Sequence, residues 1–221
     1  MEIPVMSNIL SKNDKIAAEL NAMLTARGIF VINLLGSPGC GKTSLLEKTI
    51  DMVKNDLKIA VIEGDLYTSK DADRLAACGT PVIQINTEGG CHLDATMVKT
   101  AVTKLDLDAI DILIVENVGN LVCPAEFNVG EHAKVVMLST TEGEDKPLKY
   151  PLVFRQSAAV ILNKIDLLPY TSFDIESAIA DIRGLNPYVN LLQVSCRTGE
   201  GLAGWAEWLK ARAGDMRNHL G

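Results

Sequence analysis

The segment Gly36-Ser-Pro-Gly-Cys-Gly-Lys-Thr43 restricts the fold of this chain more than any other. It satisfies the spacing G-x-x-x-x-G-K-[ST], a pattern that has meaning only with an apolar strand before it and a helix after it. Both flanks comply: residues 30–35 are an apolar, β-branched run, and residues 44–53 carry helical periodicity. In that setting Gly36, Gly39 and Gly41 let backbone N–H groups converge on phosphate oxygens at a helix N-terminus. Cys40 fits as a small residue in the tight turn, and Ser44 opens the helix. Lys42 is expected to reach the β and γ oxygens, and the Thr43 hydroxyl to ligate Mg2+.

Six further short runs resemble the one before this loop, at residues 58–63, 81–86, 111–116, 134–139, 158–163 and 190–195. Each is nearly continuous in apolar residues, as strands buried on both faces must be, and the intervening segments are long enough for crossover helices. The expectation is an α/β fold, doubly wound, with a mostly parallel seven-stranded sheet and helices on both faces. Ligands should then lie at the carboxyl ends of the strands. Residues 1–221 read as a single nucleotide-binding domain with an appended amphipathic helix at about residues 8–27, carrying Ile9, Ile16, Leu20, Met23 and Leu24 on one face and ending at Gly28. The polar tail after Leu209 is expected to fray.

Composition narrows the function classes. The net charge of −7, from 21 Lys and Arg against 28 Asp and Glu, argues against a nucleic-acid or anionic-lipid surface. No apolar run approaches the roughly 20 residues that span a bilayer, and the first residues carry no basic leader, so a cytoplasmic protein is expected. Five cysteines, an odd number without a secretory signal, favour reduced thiols over a disulfide framework.

Asn163-Lys-Ile-Asp166 follows one strand and Ser195-Cys-Arg-Thr-Gly199 follows the next. The Asp166 carboxylate can accept from both N1–H and the 2-amino group of guanine, whereas adenine offers neither donor and would leave a carboxylate unpaired. Asn163 is expected at the base edge and the Lys164 stem over the ring, while backbone N–H groups of the Ser195, Cys196 and Arg197 loop face O6. GTP and GDP are therefore the expected nucleotides.

Two acidic strand ends, Glu63-Gly-Asp65 and Glu116-Asn-Val-Gly119, lie near the γ-phosphate in this topology. Asp65 and Glu116 are the candidates for Mg2+ or its waters, and with Lys42 they form the expected catalytic group; Gly119 is placed to sense the γ-phosphate through its N–H. Carboxylates also cap strand ends without binding metal, and that alternative stays open for both. Residues 66–74 form the expected mobile loop. Asp71 and Asp73 read as helix-capping, and Arg74 as a solvated helix residue rather than an arginine finger, which implies slow intrinsic hydrolysis.

Cys91-His92 precedes a helical pattern at residues 93–104, and Cys123 lies seven residues beyond Glu116. Two thiols and an imidazole make a borderline-soft site suited to Ni2+ or Zn2+, provided the two segments leave neighbouring strands. A helix N-terminus at Cys91 would lower its thiol pKa. Singly, each is weak evidence, since a lone Cys is more often buried packing and a lone His more often a capped surface residue. Three ligands do not close a tetrahedron, so either water or a two-fold partner completes it. Cys78 reads as helix packing, and His132 and His219 as surface residues.

The quoted segments, with Thr87-Glu-Gly-Gly-Cys-His-Leu-Asp-Ala95 and Glu116-Asn-Val-Gly-Asn-Leu-Val-Cys-Pro-Ala125, resemble the HypB family of hydrogenase nickel-incorporation GTPases. Related metallochaperone GTPases, such as the urease accessory protein, share the fold but carry different metal segments. The resemblance implies a fold of the signal-recognition and MinD class, a GTP-dependent homodimer, and a metal site at Cys91, His92 and Cys123. It also implies delivery of nickel to the large subunit of a [NiFe] hydrogenase, with a zinc-binding accessory partner. Met1 to Arg27 contains no Cys or His, so the nickel-storing N-terminal motif of some members is not expected. A regulatory GTP switch that carries no metal is the competing reading.

Overall fold

The computed structural model describes residues 5–65 and 69–218, with side chains from residue 8 onward. Its centre is a sheet of seven strands: Phe30–Gly36 (β1), Ile59–Asp65 (β2), Val82–Asn86 (β3), Ile112–Glu116 (β4), Ala133–Ser139 (β5), Ser157–Asn163 (β6) and Asn190–Gln193 (β7). The spatial order is β3-β2-β4-β1-β5-β6-β7, and every pairing is parallel. Nine α-helices are described: Val5–Thr25 (α1), Lys42–Val53 (α2), Lys70–Ala77 (α3), Ala95–Val102 (α4), Cys123–Glu126 (α5), Lys146–Lys149 (α6), Pro151–Gln156 (α7), Ile175–Leu185 (α8) and Leu202–Asn218 (α9). Among the described residues no helix is long and apolar enough to cross a membrane.

The period-two alternation of strands divides the core by face. Phe30, Ile32, Leu34, Ile112, Ile114, Val135, Met137 and Ile161 point toward α2, α3 and α9. Val31, Ala60, Ile62, Leu113 and Val115 point toward α1 and α4 on the opposite face, while Val136, Leu138, Val160 and Leu162 meet α7 and α8. The strands are therefore apolar on both sides, which is why they read as unbroken hydrophobic runs. The strand order reverses at β1, which lies between β4 and β5, and the crevice at its carboxyl end receives the phosphate loop.

Several expectations need correction. The expected fraying after Leu209 is not found among the described residues: α9 continues to Asn218 because Ala213 and Met216 extend the stripe begun by Leu202, Trp205 and Leu209 into the core. His132 is not a surface residue. Its Nδ1 accepts the Val31 N–H at 2.9 Å, its Nε2 lies 2.8 Å from Thr25 Oγ1, and its ring stacks on Phe30, so it fastens the end of α1 to the sheet. Cys78, expected to pack, is exposed at the end of α3. The supposed loop at 66–74 is helical from Lys70 onward; residues 66–68, like His219, lie outside the described residues.

Candidate nucleotide and metal sites

A cavity of about 450 Å3 opens at the carboxyl ends of β1, β2 and β4, lined by the phosphate loop, Glu63, Asp65, Asp71, Arg74 and residues 116–119. Gly41 adopts φ of +102°, and a Cβ there would lie 2.5 Å from the Asn163 amide nitrogen, so this position admits glycine on two counts. Lys42 is buried, its Nζ donating to the Gly36 carbonyl at 3.3 Å. The Thr43 hydroxyl donates to Glu116 Oε1 at 3.0 Å, which joins the start of α2 to the end of β4.

Glu63 is the residue that sequence reasoning passed over. It pairs in register with Glu116 across β2 and β4, is 2% exposed, and lines the same cavity. The signal was present, because strand alternation places Glu63 on the same face as Asp65. Burial pushes its carboxyl up to about 8, helped by the charges of Glu116, Asp65 and Asp71 and opposed by Lys42. Burial likewise raises Glu116 to about 7, against the pull of Lys42 and the Thr43 hydrogen bond. Glu63 Oε2 and Glu116 Oε2 are both buried without a hydrogen-bond partner. Each such oxygen costs about 1–3 kcal/mol, and a hard cation beside Thr43 is the ligand that removes the penalty. The residues present thus fit Mg2+. Asp65 remains at the cavity wall, its carbonyl accepting from the Thr87 N–H at 3.0 Å.

The adjoining base pocket is lined by Gly41, Ser44, Asn163, Lys164, Asp166, Leu167, Cys196 and Arg197. Asp166 lines this pocket, and Ser195 donates to its Oδ1 at 2.6 Å, which restrains the carboxylate. Lys164 stands in the left-handed region at φ 63° and reaches back to the Gly39 carbonyl at 2.8 Å, so its stem crosses between base loop and phosphate loop. Asn163 lines the same pocket, but its amide is committed to the two loops. It is 1% exposed, and its amide is engaged at both ends, giving to the Cys40 carbonyl at 2.9 Å and taking the Cys196 N–H at 3.2 Å. It clasps the two loops together. Burial raises both Cys40 and Cys196 to about 11, so these thiols stay protonated.

On the other side of β1 from this pocket, one ligand atom each from Cys91, His92 and Cys123 lies within 4.8 Å of the others. Thiolate and imidazole bonds of about 2.3 and 2.0 Å keep ligands within about 4.6 Å of each other, so a small inward motion is enough to hold an ion. The convergence does not arise from neighbouring strands, as expected. The segments leave β3 and β4, and β2 lies between them. Long-range bonds draw them together instead. Asn117 is fully buried, with Oδ1 accepting the Leu93 N–H at 3.0 Å and Nδ2 donating to Asn33 at 3.1 Å. Asn13 of α1 takes the Ala95 N–H and gives to the Asn128 carbonyl, so the first helix clamps the outer ends of both segments. Phe127, just past α5, packs its ring 3.9 Å from that of His92.

Cys91 does not occupy a helix N-terminus: α4 begins at Ala95 under an Asp94 cap. Its thiol is raised, not lowered, chiefly by a hydrogen bond with Cys123 and then by burial. His92 is lowered by burial and so presents a neutral imidazole. Arg74 is held by Glu47 at 2.7 Å and Asp71 at 2.8 Å at the cavity rim.

A parallel sheet that ends in a phosphate loop, a buried acidic pair and an Asp166 base loop defines a P-loop nucleotide-binding protein. Its architecture is shared with the cell division protein FtsY of Thermotoga maritima, with a TM-score of 0.52 at 18% identity over 75% of this chain and 60% of that one, a likeness of fold alone. The profile described as CobW/HypB/UreG, nucleotide-binding domain, matches residues 30–193. The hydrogenase maturation factor HypB of Azotobacter vinelandii is 51% identical over 210 residues, covering 95% of this chain and 69% of that one. The crystal structure of HypB from Helicobacter pylori in complex with nickel superposes with a TM-score of 0.88 at 39% identity, covering 92% of this chain and 96% of its own. The chain belongs to the HypB family of hydrogenase maturation factors.

Proposed function

We propose that this protein is a GTP-hydrolysing metallochaperone that carries Ni2+ or Zn2+ on Cys91, His92 and Cys123 and inserts nickel during [NiFe] hydrogenase maturation. The observation that carries this reading is that the three ligand atoms lie within 4.8 Å of one another on segments tied to the loop that lines the nucleotide cavity. The relative from Helicobacter pylori with 39% identity is described in complex with nickel, which supports the choice of cargo.

Residues Gly36 to Ser44 bind the phosphates, and Asp166, Lys164 and the Arg197 backbone bind guanine, because the Ser195 and Cys196 N–H groups are taken by the Glu200 carbonyl and Asn163 Oδ1. Thr43 and Glu116, with Asp65 and Glu63, hold Mg2+, whose charge offsets that of the β and γ phosphates. Lys42 stabilises the charge that develops as the bond to the γ-phosphoryl group breaks. Glu47 and Asp71 restrain Arg74, so its guanidinium is not free to approach that group, and intrinsic turnover is slow. A water oxygen forms the new bond to the γ-phosphorus as the bond to the β–γ bridging oxygen breaks, so inorganic phosphate and GDP leave and a proton is released.

The chain acts as one GTPase unit in the cytoplasm, with the hydrogenase large subunit and a zinc-binding accessory protein as partners. Because three ligands leave a tetrahedral site open, a GTP-bound homodimer closes it. The 146–150 segment is a candidate contact: Lys146 donates to Ser37 of the phosphate loop at 2.6 Å, and Leu148 and Leu152 are exposed beside it. The first helix, whose amphipathic face could also meet a partner, is a weaker candidate, since Ala17, Leu20 and Leu24 are buried in this chain's own core. Titration with Ni2+ and Zn2+ under reducing conditions tests the reading. Wild type should bind, and Cys123→Ser should lose about 100-fold or more in affinity. Equal affinities would leave a GTP switch that carries no metal on these residues.

A further inference from the structure

Asn120 is fastened to both sites at once. Its backbone forms an antiparallel bridge with Gly36, the first residue of the phosphate loop. Its side-chain Nδ2 donates to the Cys91 carbonyl at 3.2 Å, and its Oδ1 accepts the Val122 N–H at 2.9 Å. Val122 precedes Cys123 and caps α5. One amide therefore holds the main chain of both thiol-bearing segments while its own main chain is joined to the phosphate loop.

The chemistry requires an amide. One side of the group must donate to a carbonyl while the other accepts from an N–H, and at this length only Asn does both. Aspartate would keep the Val122 bond but set a carboxylate oxygen against the Cys91 carbonyl. The residue before it, Gly119, leaves no slack, because a Cβ there would stand 2.8 Å from the Pro38 ring. A shift of the phosphate loop against Gly119 is therefore passed to Asn120 rather than absorbed. Interiors this close respond by moving between discrete arrangements.

We propose that Asn120 is the positioning residue of the metal site: it sets the separation of Cys91 from Cys123 and conveys displacements of the phosphate loop to both. This rests on the ligand set proposed above. Like other groups that orient metal ligands without touching the ion, it should govern affinity through geometry.

The test compares wild type, Asn120→Asp and Cys123→Ser. Each is titrated with Ni2+ alone, with Ni2+ in the presence of a GTP analogue, and with Ni2+ in the presence of GDP. Asn120→Asp should lose at least about tenfold in Ni2+ affinity. Its affinity for the GTP analogue without Ni2+ should fall about twofold or less. Its thiolate-to-Ni2+ charge-transfer band should shift, and the ratio of Ni2+ affinities between the two nucleotides should move toward one. Wild-type Ni2+ affinity, band and ratio in Asn120→Asp, with Ni2+ binding lost in Cys123→Ser, overturns the role of Asn120 and leaves the ligand set standing. Wild-type affinity in both variants removes the ligand set, and this inference with it. If Asn120→Asp does not fold, Asn120→Ala removes both bonds without adding charge and is read by the same outcomes.

Discussion

In the nucleotide cavity Lys42, Thr43, Glu63 and Glu116 are all buried, whereas at the metal cluster Cys91 is exposed and His92 and Cys123 are half-buried. The first region is built from contiguous motifs at strand ends, and its own residues bond one another directly, the Thr43 hydroxyl to the Glu116 carboxylate and the Lys42 ammonium to the Gly36 carbonyl. The second is built from two segments on either side of β2, joined by amides and a ring contact from residues that are not ligands. Burial strengthens electrostatic contacts around a polyphosphate, while exposure allows an ion to be taken up and released. The two constructions suit the roles proposed for them, hydrolysis in the first and uptake and release of an ion in the second.

If the cavity is self-contained, removing its cation should abolish turnover and spare the cluster. Lys42→Ala should lower GTP hydrolysis by at least about a thousandfold. Its Ni2+ affinity without nucleotide should stay at the wild-type value, as measured by titration. Hydrolysis at the normal rate would remove Lys42 from the chemistry, and a large loss of Ni2+ affinity would show that the two regions are not built separately.

The base loop is the next largest effect. Asp166→Asn replaces two acceptors by one acceptor and one donor, losing hydrogen bonds to a charged group worth about 1.5–3 kcal/mol each. GTP should weaken about a hundredfold or more, and xanthosine triphosphate should become the better ligand. Competition between the two nucleotides reads this directly. A variant that still prefers GTP would move the base site away from Asp166.

At the cluster, the smaller expected effect comes from the ring beneath His92. Phe127→Leu keeps an apolar side chain but loses the 3.9 Å ring contact, so the imidazole gains rotational freedom. Ni2+ affinity should fall about tenfold, and Phe127→Tyr, which retains the ring, should restore most of it. Equal affinity in wild type and Phe127→Leu would mean that Cys91 and Cys123 alone orient the site.

The same contrast governs what the sequence disclosed. All seven strands were legible because burial on both faces leaves unbroken apolar runs, and the phosphate and base loops because each is a contiguous string whose glycines and charges have no other common use. The metal residues were nameable, but their meeting was not, since it depends on Asn117 bonding Leu93 and Asn120 bonding Cys91 across intervals of 24 and 29 residues. Asn163 showed the reverse failure: its motif was plain, yet its amide joins Cys40 to Cys196, a tertiary bond that a local pattern does not contain. The expected fraying after Leu209 overlooked two isolated apolar residues, Ala213 and Met216, whose helical spacing continues the buried stripe.

The smallest predicted effect concerns the carboxylate pair and has a definite sign. Glu63 and Glu116 titrate at about 8 and about 7 in the folded chain, above the ordinary carboxylate value of 4.5. Between those limits the folded state therefore binds more protons than the unfolded state, and stability must fall as pH rises. The contribution is complete below the unfolded pKa and is lost through the folded values. Glu63→Gln cannot ionise, so between about pH 6 and about pH 8.5 it should lose on the order of 1–2 kcal/mol less than wild type. Without nucleotide or Mg2+, the variant should accordingly unfold at the higher temperature at the alkaline end, and Mg2+ with a GTP analogue should narrow the gap by giving the wild-type carboxylates a cation. Thermal unfolding of both proteins across that range reads the difference. Because all other titrating groups are common to the two, parallel stability curves would show that Glu63 takes up no extra proton on folding in this range, and that burial beside Glu116 does not raise its pKa.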